Sequence, residues 1–196
     1  MSGLLIAFEG LDQSGKQTQA ELLRDRLKED GHKSRLVSFP DYGTSIGEEI
    51  ARALAGEREY DADVMQLLYV ENRYERKPDL HRWIDGGLIL VCDRYTASSI
   101  AYGEAQGLDP AWLDDVQRFL PRAALTIMLD IAPETAVKRK SVDRDRYERD
   151  LALQERVRES YRRQSAAHGW VVLDGERQKD AIAAEVFAAV APIVGT

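Results

Sequence analysis

The sequence predicts an α/β fold, a parallel sheet covered by helices on both faces, and three observations carry that reading. Short apolar runs rich in β-branched residues recur along the 196 residues. Segments of helical periodicity lie between them. A glycine-rich stretch, "FEGLDQSGKQTQ" from Phe8 to Gln19, follows the first run and opens the first helical segment. Ligands in such folds bind at the carboxyl ends of the strands, where a loop of this kind emerges.

The elements follow in order. "LLIAFE", Leu4 to Glu9, has the length and composition of a buried strand. In "GKQTQAELLRDRLKEDG" the residues Ala20, Leu23 and Leu27 repeat at helical spacing and Gly31 supplies a stop, which completes a βαβ unit with the next strand, "SRLVSF" from Ser34 to Phe39. From Ile46 to Asp85 the pattern is helical but broken by the turn-like "GEREYDAD", which predicts two helices, the second long and strained by Pro78. "LILVCD", Leu88 to Asp93, is the third strand. "DPAWLDDVQRFLP" opens with an Asp-Pro helix start and closes on Pro121, a short helix. "LTIMLD", Leu125 to Asp130, is the fourth strand, and "PETAVKRK" starts a helix with Pro133 in its first turn. After an arginine-rich segment come the helix "LALQERVRESYRRQSAAHG", the fifth strand "WVVLD" from Trp170 to Asp174, and a last helix, "KDAIAAEVFAAVAPIV". No repeat, linker or low-complexity stretch interrupts the series, so a single domain over residues 1–196 is expected.

Composition narrows the function. A formal net charge of −7 argues against a nucleic-acid polymer as partner, because neutralising a phosphate backbone needs a basic face. A local cluster can still hold a small anion, and "KRKSVDRDRYER" places Lys138, Arg139, Lys140, Arg144, Arg146 and Arg149 together. No apolar run is long enough for a membrane span or secretory signal, so a cytoplasmic protein is expected. Cys92 is alone, which excludes an internal disulfide and fits a buried strand residue. His32, His81 and His168 are scattered over helix ends and polar faces and receive no catalytic role.

The glycine-rich stretch nearly completes the GxxxxGK[ST] phosphate-loop pattern, with Gly10, Leu11, Asp12, Gln13, Ser14, Gly15 and Lys16 in place. Gly10 and Gly15 permit backbone conformations that turn successive N–H groups toward phosphate oxygens, the helix adds its positive end, and the Lys16 ammonium reaches the β- and γ-phosphates of a nucleotide. Where a hydroxyl would sit on Mg²⁺ the chain has Gln17. Either the Gln17 amide oxygen reaches the metal or water fills that position; Thr18 is the next hydroxyl along. Asp93 ends the third strand beside the loop, where phosphate-loop enzymes hold Mg²⁺, and the competing reading is an N-cap for the helix "TASSIAY".

With the loop, "FP" after strand two, "ENRYE" and "DRY" in sequence order, the chain resembles the thymidylate kinase family from Phe8 to about Arg158. The resemblance implies a P-loop NTPase fold with a five-stranded parallel sheet, a short lid at about residues 140–150, transfer of the γ-phosphoryl group of ATP to dTMP, Mg²⁺ as the metal, and a homodimer. It also implies residue roles. Asp12 approaches the sugar 3′-hydroxyl; Phe39 and Pro40 shape the nucleoside pocket; Tyr69 stacks on thymine and Arg73 hydrogen-bonds a base carbonyl. Arg94 bridges the acceptor phosphate and the transferring group, Ser98 and Tyr102 approach base and sugar, Gln154 lies near the nucleoside, and Arg139 stacks on adenine. Two departures matter: Tyr42 stands where many relatives carry an arginine for the dTMP phosphate, and Gln13 stands where some carry one after the loop aspartate. The family's other solution is a lid arginine, and Arg144, Arg146 and Arg149 supply it, with Arg146 or Arg144 the candidate for closing over the transferring phosphoryl. Two rival readings are a kinase for another nucleoside or nucleoside monophosphate, and a nucleotide-dependent switch. The second lacks an Asn-Lys-x-Asp guanine-reading motif.

Overall fold

The computed structural model describes residues 3–139 and 150–195. Along the chain these form β1 (Leu4–Glu9), α1 (Lys16–Glu29), β2 (Ser34–Ser38), α2 (Ser45–Leu54), α3 (Ala62–Asp85), β3 (Ile89–Asp93), α4 (Thr96–Ala105), α5 (Pro110–Asp115), β4 (Leu125–Asp130), α6 (Pro133–Arg139), α7 (Leu151–His168), β5 (Val171–Asp174) and α8 (Lys179–Val194). The five strands make one parallel sheet in the order β2-β3-β1-β4-β5.

Both sheet faces are covered, and β1 shows how the residues arrange it. Successive strand side chains point to opposite faces. Ile6 and Phe8 pack with Ala20, Leu23 and Leu27 of α1 and with Ile182, Val186 and Val190 of α8. Leu5 and Ala7 face the other way, toward Leu80 of α3 and Tyr95. Further along that second face, Met128 of β4 meets Ala97 and Ala101 of α4 and Val157 and Tyr161 of α7. A strand buried on both sides needs an uninterrupted apolar run, which is what "LLIAFE" is. Cys92 lies in this interior, and burial pushes its thiol far above the usual range.

The order of strands positions the site. The chain leaves the central β1 for the edge strand β2, returns to β3 beside β1, then crosses to β4 on the other side. That reversal opens a crevice at the carboxyl ends of β1, β3 and β4, where the residue 10–15 loop emerges.

Strand boundaries differ from expectation by one residue. β2 stops at Ser38 rather than Phe39, because Pro40 has no N–H to continue the ladder. β3 and β5 begin at Ile89 and Val171, one residue inside the apolar runs. The strain expected at Pro78 does not end α3, which runs 24 residues through it. Proline removes the bond to the Tyr74 carbonyl, but buried Met65, Val70 and Leu80 hold both halves to the core. Among the described residues no helix is long and apolar enough to cross a membrane.

Candidate active site

The loop after β1 adopts the conformation its glycines permit. Gly10 has φ 136° and Gly15 φ 96°, and a Cβ on Gly10 would run into the Leu129 carbonyl oxygen. Gly15 caps α1 without any side-chain hydrogen bond, and no acidic residue stands in the first turn. The opening N–H groups of α1 are therefore free of side-chain competitors and face an anion together with the helix dipole.

Lys16 is the first residue of α1 and only 5% exposed. Its ammonium donates to the Leu11 carbonyl at 2.7 Å and reaches Ser14 Oγ at 3.5 Å. Burial, reinforced by the nearby Arg94 guanidinium, lowers its pKa from 10.5 to about 8, although Asp12, Asp93 and Glu9 pull it back up. Between those two values the unfolded chain binds a proton that the native protein has lost, so stability of the nucleotide-free protein rises with pH from about 8 to 10.5. Below pH 8 the buried charge costs roughly 3 kcal/mol, at 1.36 kcal/mol per unit. Lys16→Met is thus expected to unfold at no lower a temperature than wild type at pH 7, with wild type gaining on the variant above pH 8. Calorimetry at pH 7 and pH 9.5 checks this, and a variant several degrees less stable at pH 7 contradicts it.

Asp93 ends β3, paired in register with Phe8. Its Oδ1 is buried without a hydrogen-bond partner. The N-cap alternative fails, because Tyr95 occupies the cap position of α4 and no side-chain cap bond forms. Among the described residues no group of three or more His, Cys, Asp or Glu could hold a metal. One carboxylate beside a phosphate loop nonetheless suits Mg²⁺, which keeps several waters and takes its remaining oxygens from nucleotide phosphates. Gln17 points elsewhere: it is exposed, and its Nε2 donates to Glu21 Oε1 at 3.0 Å along the surface of α1. Thr18 is exposed as well.

Arg94 follows Asp93 in the left-handed region, φ 64°, so the chain turns its side chain back over the loop. Its Nη2 meets Asp12 Oδ1 at 2.5 Å. Its Nη1 donates to Gly10 O at 3.3 Å and to the Ser98 and Tyr161 hydroxyls, both at 3.2 Å. Tyr102 donates to the second oxygen of Asp12 at 3.0 Å. Burial alone would raise the Asp12 pKa, but Arg94, Lys16 and the Tyr102 hydroxyl together hold it well below the usual carboxylate range. Burial, with Asp12 adding to it, drives the Tyr102 phenol well above its ordinary value. Beneath them lies Glu9, fully buried, whose Oε1 accepts from the Tyr95 N–H at 2.8 Å. Its Oε2 accepts from Ser98 at 2.6 Å and Tyr161 at 3.1 Å. Arg94 therefore stands on a carboxylate-backed pair of hydroxyls with Asp12 as counter-ion.

Beside Arg94 opens a pocket. Eight of the predicted substrate residues line it: Asp12, Phe39, Pro40, Tyr69, Arg73, Arg94, Ser98 and Tyr102. Ser98 sits at the wall with its hydroxyl engaged by Glu9 and Arg94. Phe39 joins Pro40 through a cis peptide and packs 5.9 Å from the Tyr95 ring. Arg73, 2% exposed, is fixed through Nη1 to Tyr69 O, Ser99 Oγ and Gln117 Oε1, at 3.2, 2.8 and 3.1 Å. Burial lowers its pKa. Tyr42, half-exposed, stands at the rim with Leu54 and Gln66 in the walls. Gln154 is buried on the first turn of α7 and does not line this pocket.

Arg139 donates from Nη1 to Gln13 O at 3.0 Å and from Nη2 to Gly175 O at 2.9 Å, tying the phosphate loop to the turn after β5. Arg144, Arg146 and Arg149, with the rest of the expected lid from 140 to 149, lie outside the described residues. Sequence reading missed Glu9, Tyr161, Gln66, Ser99 and Gln117. Glu9 carried a signal, a carboxylate ending an apolar strand at the loop. Tyr161 carried none, since nothing in a helix 152 residues further on marks it as a partner of Glu9.

The comparisons with known proteins agree on one family. The thymidylate kinase family model matches residues 8–186. A thymidylate kinase of Schizosaccharomyces pombe is 38% identical over 161 residues, spanning 82% of this chain and 76% of that one. The thymidylate kinase of Homo sapiens is 30% identical over 183 residues, spanning 92% and 86%. The solved structure of thymidylate kinase from Candida albicans superposes with a TM-score of 0.82 at 28% identity, covering 96% of this chain and 91% of that chain.

Proposed function

The chain belongs to the thymidylate kinase family, and on that premise we infer that it is a dTMP kinase, transferring the γ-phosphoryl group of ATP to dTMP to give dTDP and ADP. The observation that carries this reading is the contact between Arg94 and Asp12, which joins a phosphate loop to a pocket lined by Phe39, Tyr69 and Arg73.

The dTMP phosphate oxygen is already a nucleophile, so the protein's work is positioning and charge neutralisation. The loop from Gly10 to Gly15, the first N–H groups of α1 and Lys16 hold the ATP phosphates; Thr18 and Gln17 flank them. A bound Mg²⁺ supplies charge neutralisation between the phosphates, and Asp93, with its unpartnered Oδ1, is the residue that would hold it. Arg94 aligns the acceptor phosphate. Asp12, kept ionised by Arg94, accepts from the sugar 3′-hydroxyl. Phe39, Pro40 and Tyr69 enclose the base, Arg73 donates to a base carbonyl, and Tyr102 crowds the position of a ribose 2′-hydroxyl. Ser98 acts through Arg94, and Gln154 supports the nucleoside from behind. The face of the Arg139 guanidinium, whose edge is tied to two carbonyls, stacks on adenine. Arg144 or Arg146 closes over the transferring group. The protein works in the cytoplasm as one kinase domain and as a homodimer, for which the exposed apolar Val64 and Leu67 on α3 offer a surface.

A coupled assay of ADP release with dTMP, dUMP, CMP and thymidine tests the reading. Turnover is expected to be greatest with dTMP; a clear preference for any other acceptor, or ATP binding without acceptor-stimulated ADP release, would overturn it.

A further inference from the structure

Gln66, on α3, is a polar residue of the pocket wall that the assigned roles do not use. Its side chain is 1% exposed, and neither its Oε1 nor its Nε2 has a hydrogen-bond partner in the protein. Burying an amide without partners is costly, so a group that spends its working life in that position needs a ligand able to satisfy both ends. Its stem is held: α4 passes so close that a Cβ on Gly103 would stand 3.2 Å from Gln66 Cγ. Arg73, about two turns along α3, lines the same pocket, and its Nε is likewise buried without a partner while Nη1 is fully engaged.

We propose that Gln66 is a specificity-determining residue that reads the imide edge of the pyrimidine together with Arg73. The proposal rests on the dTMP reading above. A thymine or uracil ring presents acceptor, donor, acceptor along C4=O, N3–H and C2=O. A guanidinium donates to one carbonyl; an amide accepts from N3–H through Oε1 and donates to the other carbonyl through Nε2. The two side chains together are complementary to that order. With the guanidinium on C4=O, cytosine, which presents donor, acceptor, acceptor, would set its exocyclic amine against a group that can only donate. Turning the Gln66 amide over does not relieve that clash, because arginine has no acceptor. Rejection of the wrong base therefore needs both residues, and the amide contributes the reading of N3. Leaving buried polar groups unpaired is the strongest means a site has of rejecting a near-isostere.

The test uses the full chain and measures kcat and KM for dTMP, dUMP and dCMP in wild type, Gln66→Met and Gln66→Glu. Methionine keeps length and volume without polar ends. For Gln66→Met the expected result is a loss in kcat/KM for dTMP on the order of 10- to 100-fold, carried by KM with kcat within a few fold. The dTMP-to-dCMP preference falls by a similar factor, and dUMP, with the same imide edge, falls in parallel with dTMP. The ligand-free variant melts no lower than wild type, because an unpaired buried amide has been removed; a residue kept only for packing would instead lower the melting temperature and leave the preference alone. Gln66→Glu keeps the acceptor for N3–H and loses the donor, so kcat/KM for dTMP falls while the dTMP-to-dCMP preference widens, because cytosine N3 and C2=O offer a carboxylate no hydrogen to accept. If Gln66→Met fails to fold, the Gln66→Glu ratio decides. A wild type selective for dTMP whose folded variants keep that preference within about threefold overturns the role of Gln66 alone. A wild type that does not act on dTMP removes the dTMP reading, and this proposal with it.

Discussion

Replacing Arg144 and Arg146 together by Ala is expected to lower turnover about 10³- to 10⁵-fold, the range an arginine finger supplies, while dTMP affinity changes little. The described part of the site explains why such a charge is needed. Phosphoryl transfer spreads charge over the equatorial oxygens of the moving group, and stabilising it takes cations that are not already neutralised. Arg94 carries Asp12 as a counter-ion at 2.5 Å, so much of its field is cancelled at the pocket mouth. Lys16 serves the loop, and Arg139 is tied by its edge to the carbonyls of Gln13 and Gly175. Gln13, exposed on the loop with φ 62°, brings no charge. The remaining source close in sequence is the arginine-rich run ending at Arg149. Steady-state kinetics with binding measured separately checks the split, and a double variant within about tenfold of wild-type kcat would remove the lid from the mechanism.

Arg94→Ala is expected to reduce kcat by about 10³-fold and to destabilise the protein as well. The two effects have one cause. The guanidinium is the shared partner of Asp12, Ser98, Tyr161 and the Gly10 carbonyl, and its side chain is 14% exposed. Removing it leaves the Asp12 carboxylate unpaired beside a buried Glu9. Breaking a fully buried pair costs about 3–5 kcal/mol; with Asp12 still 32% exposed, roughly 2–3 kcal/mol is the better expectation. The pH dependence follows from Asp12. Its native pKa lies below the ordinary 3.8, so the pair's contribution is present above that value and is lost as pH falls below it. The gap in stability between wild type and Arg94→Ala should therefore narrow in acid. Arg94→Lys keeps the charge but not the planar fork, and should recover part of the stability and little of the turnover. Full activity in Arg94→Lys would show that charge alone suffices and that the fork's several contacts are dispensable.

Much of this molecule is legible in the chain. The central strands β1, β3 and β4 were visible as apolar runs because strands buried on both faces leave no polar alternation to confuse the pattern, while the half-exposed edge strands β2 and β5 were legible by their short runs with β-branched residues. The loop from Gly10 to Lys16 was legible because phosphate binding by backbone N–H groups demands glycines at fixed positions, whatever the remaining residues are. Helix starts at Asp109 and Asp150 were written locally, each aspartate accepting from an N–H two or three residues on. Pro78 leaves the expected long second helix unbroken, its missing hydrogen bond outweighed by the burial of Met65, Val70 and Leu80 around it.

The pairings inside the site are of another kind. That Glu9 holds Tyr161 and Ser98 beneath Arg94, that Gln17 turns outward to Glu21, and that Gln66 and the Arg73 Nε stand buried without partners are not encoded in any local spacing. What the sequence by itself determined is the order of strands and helices and the phosphate loop between them, since backbone propensity, periodicity and glycine freedom act over a few residues. What only the tertiary structure decided is which charges and amides meet. Crossovers of the sheet bring side chains as much as 152 positions apart to within hydrogen-bond reach, and desolvation there sets their protonation and their need for a partner.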